Sequence, residues 1–139
     1  MSEFQIISPL TLTLQLGNAI ITPMETYLEK AKKRRESLIQ ALRKDLKDEA
    51  YRLVHLLKTK GFKFKRVYLF GSVTTDKPLA PWSDIDLAIE GLSKDKFLKL
   101  YAYLLQNSRF PIDVKPLEEL KERLKERIKK EGEIVYEEG

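Results

Sequence analysis

From Met24 to Lys60 the chain contains neither glycine nor proline, and no other feature restricts its fold as much. A start signal stands in front of this run. Thr22 fits an N-cap, Pro23 the first helical position and Glu25 the third, which together make a capping box with a helix-start proline. Leu28, Ala31, Leu38, Leu42, Leu46, Ala50, Leu53 and Leu57 recur at spacings of three, four and seven, so they form one apolar stripe on a helix. Gly61 is the natural stop. Helices in small domains average three to four turns, so the spacing predicts helix over 23–60 with a break near residues 34–48.

Beyond Gly61 the apolar period changes. "KRVYLF" (65–70), "DIDLAIE" (84–90) and "RFPIDVK" (109–115) read as strands, the last starting after Pro111 or lying at an edge. Ser93 fits the cap of a helix running to Gln106, with Phe97, Leu98, Tyr101, Leu104 and Leu105 on its buried side. Pro116 is expected to open a further helix with Leu117, Leu120, Leu124 and Ile128 as its stripe. Gly132 closes that helix, and "EIVYEE" adds a last strand. The order predicts an α+β chain with one mixed sheet and helices mainly on one face. Residues 1–22, with the alternating "TLTLQL", read as an N-terminal arm or short strand. Residues 23–60 are a helical extension and residues 61–139 the core of a single structural domain.

At 139 residues with no cysteine and one histidine, the chain excludes disulfide frameworks and thiolate or histidine-rich metal sites. A metal bound here takes oxygen ligands, which suits Mg²⁺ or Mn²⁺. No apolar run reaches the ~18 residues that span a bilayer, and the N-terminus does not read as a signal peptide, so a soluble cytoplasmic protein without a membrane partner is expected. The net charge is +5, and Lys and Arg crowd residues 30–66. A solvated helix face is the first reading of that segment, and a nucleic-acid surface is the alternative.

The chemistry concentrates in "YLFGSVTTDKPLAPWSDIDLAIEG" (68–91). Alternation along a strand puts Asp84 and Asp86 on one face and Ile85, Leu87 and Ile89 on the other. Two neighbouring carboxylates repel unless a cation lies between them. Upstream, Gly71 at a strand end lets backbone approach a ligand, and Ser72 adds a hydroxyl. Asp113, in "PIDVK", is a third acid on a neighbouring strand. Three such carboxylates suit metal-assisted attack by a hydroxyl, with Asp113 nearest the nucleophile and its candidate general base. Ser83, just before the first acid, fits a turn cap. Trp82 reads as a loop anchor or as a stacking platform for a base.

Gly-Ser followed by Asp-x-Asp in "GSVTTDKPLAPWSDIDLAI" resembles the signature of the polymerase-β-type nucleotidyltransferase superfamily. The small size and the terminal "LKERIKKEGEIVYE" resemble the minimal nucleotidyltransferases, many of them MntA-type antitoxins of HEPN/MNT toxin–antitoxin pairs. The resemblance covers roughly residues 61–137. It implies a polymerase-β-like fold, ATP as substrate and Mg²⁺ or Mn²⁺ on Asp84, Asp86 and Asp113. Gly71 and Ser72 would hold the β,γ-phosphates, with Ser83 and Lys77 as further phosphate-binding candidates. It further implies AMP transfer to a hydroxyl, a tyrosine, of a cognate HEPN ribonuclease toxin. Two other readings stand beside it: an antitoxin that acts by binding alone, and a regulator that binds promoter DNA. The sequence departs from the family habit in two places. Eleven residues rather than ten separate Gly-Ser from the first Asp. Thr74, Thr75 and Asp76 stand where an Arg-Gly pair is usual, leaving Lys77 as the nearby cation.

Overall fold

The computed structural model describes residues 14–16, 19–76 and 79–139, so Lys77 and most of the N-terminal arm lie outside the described residues. The chain divides into two compact units, residues 1–40 and 41–139. In the first, β1 (Leu14–Leu16) and β2 (Ala19–Ile21) form a two-stranded antiparallel hairpin that pairs Leu14 with Ile21. The helix α1 (Pro23–Lys60) begins with the reciprocal capping box: Thr22 N–H donates to Glu25 Oε2 and Glu25 N–H to Thr22 Oγ1, each at 3.2 Å.

The expected break near residues 34–48 does not occur; α1 is one helix of 38 residues. No residue in that stretch removes a backbone donor or demands a special φ, so the i→i+4 ladder has no reason to stop. The change along α1 is one of burial. Leu28 and Leu38 are 56% and 67% exposed, whereas Leu46, Ala50, Leu53 and Leu57 are completely buried.

The second unit is built on a four-stranded sheet of order β5-β4-β3-β6. Its strands are β3 (Arg66–Phe70), β4 (Ile85–Glu90), β5 (Ile112–Pro116) and β6 (Glu133–Glu137). β3 pairs antiparallel with both β4 and β6, and β4 pairs parallel with β5, so the sheet is mixed. The parallel pair requires a crossover, which α2 (Lys94–Asn107) supplies. Val67, Leu69, Ile85, Leu87 and Ile89 share one face and are fully buried. The buried stripe of α1 and the fully buried Leu100 and Leu104 of α2 are the apolar surface available to cover that face. On the opposite face Tyr68 and Ala88 pack with Leu117 and with Ile128 of the short helix α3 (Glu122–Glu131). The long helices thus share one face, and α3 shields part of the other.

Two helical expectations need correction. Leu98 and Leu105, placed on the buried side of α2, are 78% and 58% exposed, because Leu100 and Leu104 define the buried stripe. Pro116 does not open a helix. It ends β5 opposite Ile89, residues Leu117–Glu119 form a 3-10 turn, and α3 starts at Glu122. The diversion has a tertiary cause: Glu118 Oε1 accepts the Gly91 N–H at 2.6 Å, which pins the turn to the end of β4. Among the described residues no helix is long and apolar enough to cross a membrane.

Among the described residues one charged side chain is buried. Glu49, only 4% exposed on the inner side of α1, accepts bonds from Arg52 at 2.5 and 2.7 Å and from the Arg109 N–H at 2.6 Å. Arg52 also donates to the Asn107 carbonyl, so the cluster ties α1 to the segment between α2 and β5. The Arg52 hydrogen bond leads in holding the Glu49 carboxyl below its ordinary value, against the opposing effect of burial. A carboxyl with a lowered folded pKa stabilises the fold above its unfolded value, and that contribution fades as acid protonates it. Glu49→Ala is expected to cost about 2–3 kcal/mol at neutral pH, less than a fully buried pair because Arg52 stays a third exposed. Urea unfolding at pH 7 and pH 4 checks this, and the deficit should shrink at the lower pH.

Candidate active site

The site lies on the sheet face that α3 leaves open, where the end of β3 lies beside the start of β4. β3 stops at Phe70 and the chain turns through a 3-10 turn, Gly71–Thr74. Gly71 has φ +83°, in the left-handed region that favours glycine. The glycine is also needed for space, since a Cβ built there would lie 2.3 Å from Asp86 Oδ2. The Asp86 carboxylate therefore rests directly against the start of the turn.

Asp86 and Asp113 are register partners across β4 and β5, on the face opposite the buried Ile85, Leu87 and Val114. Asp84 immediately precedes β4. Burial foremost, then the negative charges of Asp84 and Asp113, pushes the Asp86 carboxyl up to about 6 from 3.8, while Lys115 acts in the opposite direction. The three predicted acids are therefore electrostatically coupled around one half-buried carboxyl.

Lys115 is a site residue that the sequence pattern did not single out. It lies two positions after Asp113 on the same strand face, and its Nζ is 2.7 Å from Asp113 Oδ2. That hydrogen bond leads in raising the Lys115 pKa. The Nζ also sits 5.9 Å from the centre of the Phe70 ring, and Tyr101 Oη reaches Asp113 Oδ1 from α2 at 3.4 Å. Strand alternation applied to Lys115 as well as to the acids would have found it.

A second such residue has no local signal. Arg43 of α1 donates through Nη1 to the carbonyls of Ser72 and Val73, both at 2.8 Å. The basic segment expected to be a solvated face thus sends one arginine to hold the Gly-Ser turn. Charge-assisted bonds of this kind contribute about 1.5–3 kcal/mol each when buried, and less when partly exposed. Arg43→Ala is expected to lower stability by about 1–2 kcal/mol and to loosen the turn, which should appear as faster amide exchange at Val73–Thr75. Unchanged protection there would rule out this role.

Ser83 closes a turn of its own: its Oγ accepts the Ala80 N–H and its N–H donates to the Ala80 carbonyl, both at 2.9 Å. Trp82 does not anchor the loop. It is 79% exposed, and Leu79, at 6%, is the buried residue of that segment.

A divalent cation is tested by the donor set. Among the described residues no three His, Cys, Asp or Glu side chains already meet as a metal-holding group. Asp84 and Asp86 nevertheless offer hard oxygens, and the charge on Asp86 is disfavoured by burial and by its acidic neighbours, which suits Mg²⁺ held by two carboxylates with substrate phosphates as further ligands. Asp113 is engaged by Lys115. The residues fit such an ion as a pair with a third carboxylate in reserve.

A small mixed sheet with acids on one strand and a glycine-serine turn at the end of its neighbour defines a nucleotidyltransferase-type domain. Residues 51–139 match the family described as polymerase beta, nucleotidyltransferase, and the chain belongs to that family. Two of the solved structures that share its fold are toxin–antitoxin structures. One is a toxin–antitoxin MntA–HpeT mutant, 20% identical, covering 63% of this chain and 71% of that one, with a TM-score of 0.50. The other is a toxin–antitoxin with AMP-PNP, 21% identical, covering 66% and 73%, with a TM-score of 0.52. Among curated proteins there is no match.

Proposed function

We propose that this chain is an antitoxin that transfers AMP from ATP to a hydroxyl, a tyrosine, of a cognate HEPN-type ribonuclease toxin. The observation that carries the reading is the coupling of Asp84, Asp86 and Asp113 beside the Gly71–Ser72 turn. Membership in the nucleotidyltransferase family supports the chemistry, and likeness in fold to toxin–antitoxin structures, one with AMP-PNP, supports the setting.

In this reading Asp84 and Asp86 hold Mg²⁺ or Mn²⁺, which supplies charge neutralisation at the α-phosphate. Gly71 and Ser72 hold the phosphate tail. Asp113, poised by Lys115, accepts the proton of the attacking hydroxyl. A bond forms between that oxygen and the α-phosphorus, the bond to the bridging oxygen breaks, and pyrophosphate leaves. Lys115 can move from Asp113 toward the phosphates as the substrate's negative charge arrives, which would release the base. Ser83 and Lys77 remain candidates for contact with the phosphates.

A second reading is an antitoxin that works by occlusion. Tyr27, Leu28 and Leu38, large apolar side chains 56–67% exposed on α1, favour a protein-binding surface there. Autoregulation through promoter DNA is a further role for the basic segment. The double variant Asp84→Ala with Asp86→Ala separates the first two. Catalysis predicts that the variant still binds the toxin but neither adds AMP to it, by mass spectrometry, nor protects cells; full protection by the variant would establish occlusion.

A further inference from the structure

A cavity of about 290 Å³ opens between the Gly71–Thr74 turn and α3. Ser72, Thr74 and Thr75 line one wall, and Arg127 and Glu131 line the other. The threonine hydroxyls are committed to the turn, Thr74 Oγ1 donating to the Gly71 carbonyl at 2.9 Å and Thr75 Oγ1 to the Ser72 carbonyl at 3.2 Å. A hydroxyl that has given its proton away offers an incoming phosphate only lone pairs. The Ser72 hydroxyl makes no such bond to the described residues, but one neutral donor cannot balance a multiply charged ligand.

Arg127 is the only cation on the wall of this cavity among the described residues. Its pairing with Glu131 is loose: the closest atoms are 3.7 Å apart, and both side chains are about two thirds exposed. Such a pair contributes a fraction of a kcal/mol and does not hold the guanidinium in place. The other side of Gly71 is occupied by Asp86. A nucleotide whose α-phosphate meets the acids would extend its tail past Gly71 and Ser72 into this cavity.

We infer that Arg127 is a substrate-binding residue that takes the β- and γ-phosphates of the nucleoside triphosphate, with Glu131 as its resting partner. The planar guanidinium fork suits phosphate oxygens, and Arg127 thereby supplies from α3 a cation that the stretch Thr74–Asp76 does not carry. This rests on the nucleotidyltransferase reading above, and it adds the discrimination of triphosphate from monophosphate.

The experiment is calorimetric titration of the full chain with ATP and, separately, with AMP, each with Mg²⁺. It compares the wild type with Arg127→Gln, Arg127→Lys and Glu131→Gln. The wild type is expected to bind ATP more tightly than AMP. Arg127→Gln should weaken ATP about 10- to 30-fold and AMP less than about twofold, with Arg127→Lys between it and the wild type. Glu131→Gln should tighten ATP about two- to fivefold by removing a competing carboxylate. The exposed position of both residues means that melting temperatures should not move. If the wild type binds ATP and Arg127→Gln binds it equally well, or loses ATP and AMP in equal measure, the assignment of Arg127 is overturned while the nucleotidyltransferase reading stands. If the wild type binds no ATP with Mg²⁺, both fall together.

Discussion

Gly71→Ala is expected to abolish the proposed AMP transfer, by about 10³-fold or more, while leaving the protein folded. Two separate costs meet at this residue. The backbone sits at φ +83°, where any side chain is strained by about 1–2 kcal/mol. The new methyl would also lie 2.3 Å from Asp86 Oδ2 and 3.1 Å from its Cγ, so the carboxylate must leave its position. A catalytic group displaced by about 1 Å commonly costs 10²-fold, and a larger swing costs more. Gly61 provides the control. Its φ is +98°, but a Cβ there meets nothing within 4 Å, so Gly61→Ala carries the backbone strain without the collision. Both variants should melt a few degrees below wild type, and only Gly71→Ala should lose transfer to the toxin, measured as AMP added per toxin chain. If Gly71→Ala retains activity within about threefold of Gly61→Ala, Asp86 does not act from the position it holds against the turn.

The pairing of glycine and carboxylate also shows how much of the site could be read from the sequence. Asp84 and Asp86 stood out because alternation is a local rule: Ile85, Leu87 and Ile89 had to face inward, and they are fully buried. The four strands of the main sheet were legible for the same reason, as was the start of α1, whose capping box is a pattern within four residues. Contacts made between distant segments left no trace in any window. Arg43 reaches the turn across 29 residues of sequence, and Glu49 meets the Arg109 N–H across 60. Nothing local separates Arg43 from the basic residues around it, or Glu49 from an ordinary helix acid. The later start of α3 has the same origin, since the bond between Glu118 and Gly91 belongs to the tertiary fold. The unbroken α1 departs from expectation for a different reason: typical helix length is a weaker constraint than a stretch that contains no breaker.

The second large effect is expected at Asp86, and it has opposite signs in activity and stability. Asp86→Asn should reduce the proposed AMP transfer about 10³-fold or more, because the amide would not hold a divalent cation as a carboxylate would. In metal-free buffer the same variant should be more stable than wild type at about pH 7.5. The Asp86 carboxyl is pushed up to about 6 in the folded protein, from 3.8, by burial and by Asp84 and Asp113. A raised folded pKa means that the folded chain binds the proton more tightly than the unfolded one. The stability carried by the protonated form is complete below about pH 3.8 and is lost as the pH rises through about 6. Above that, wild type carries an unfavourable charge worth about 1–2 kcal/mol after allowance for solvent screening at a half-buried group. Asparagine removes it, which should raise the melting temperature by about 3–8 °C at about pH 7.5 and by little at about pH 4. Millimolar Mg²⁺ should close the gap by stabilising wild type and not the variant, since the ion neutralises a charge that only the carboxylate carries. A variant less stable than wild type at neutral pH without metal, or an equal response of both proteins to Mg²⁺, would remove Asp86 from the centre of the site. The expected pattern would instead mark Asp86 as a group whose strained charge in the empty site becomes the affinity of the occupied one.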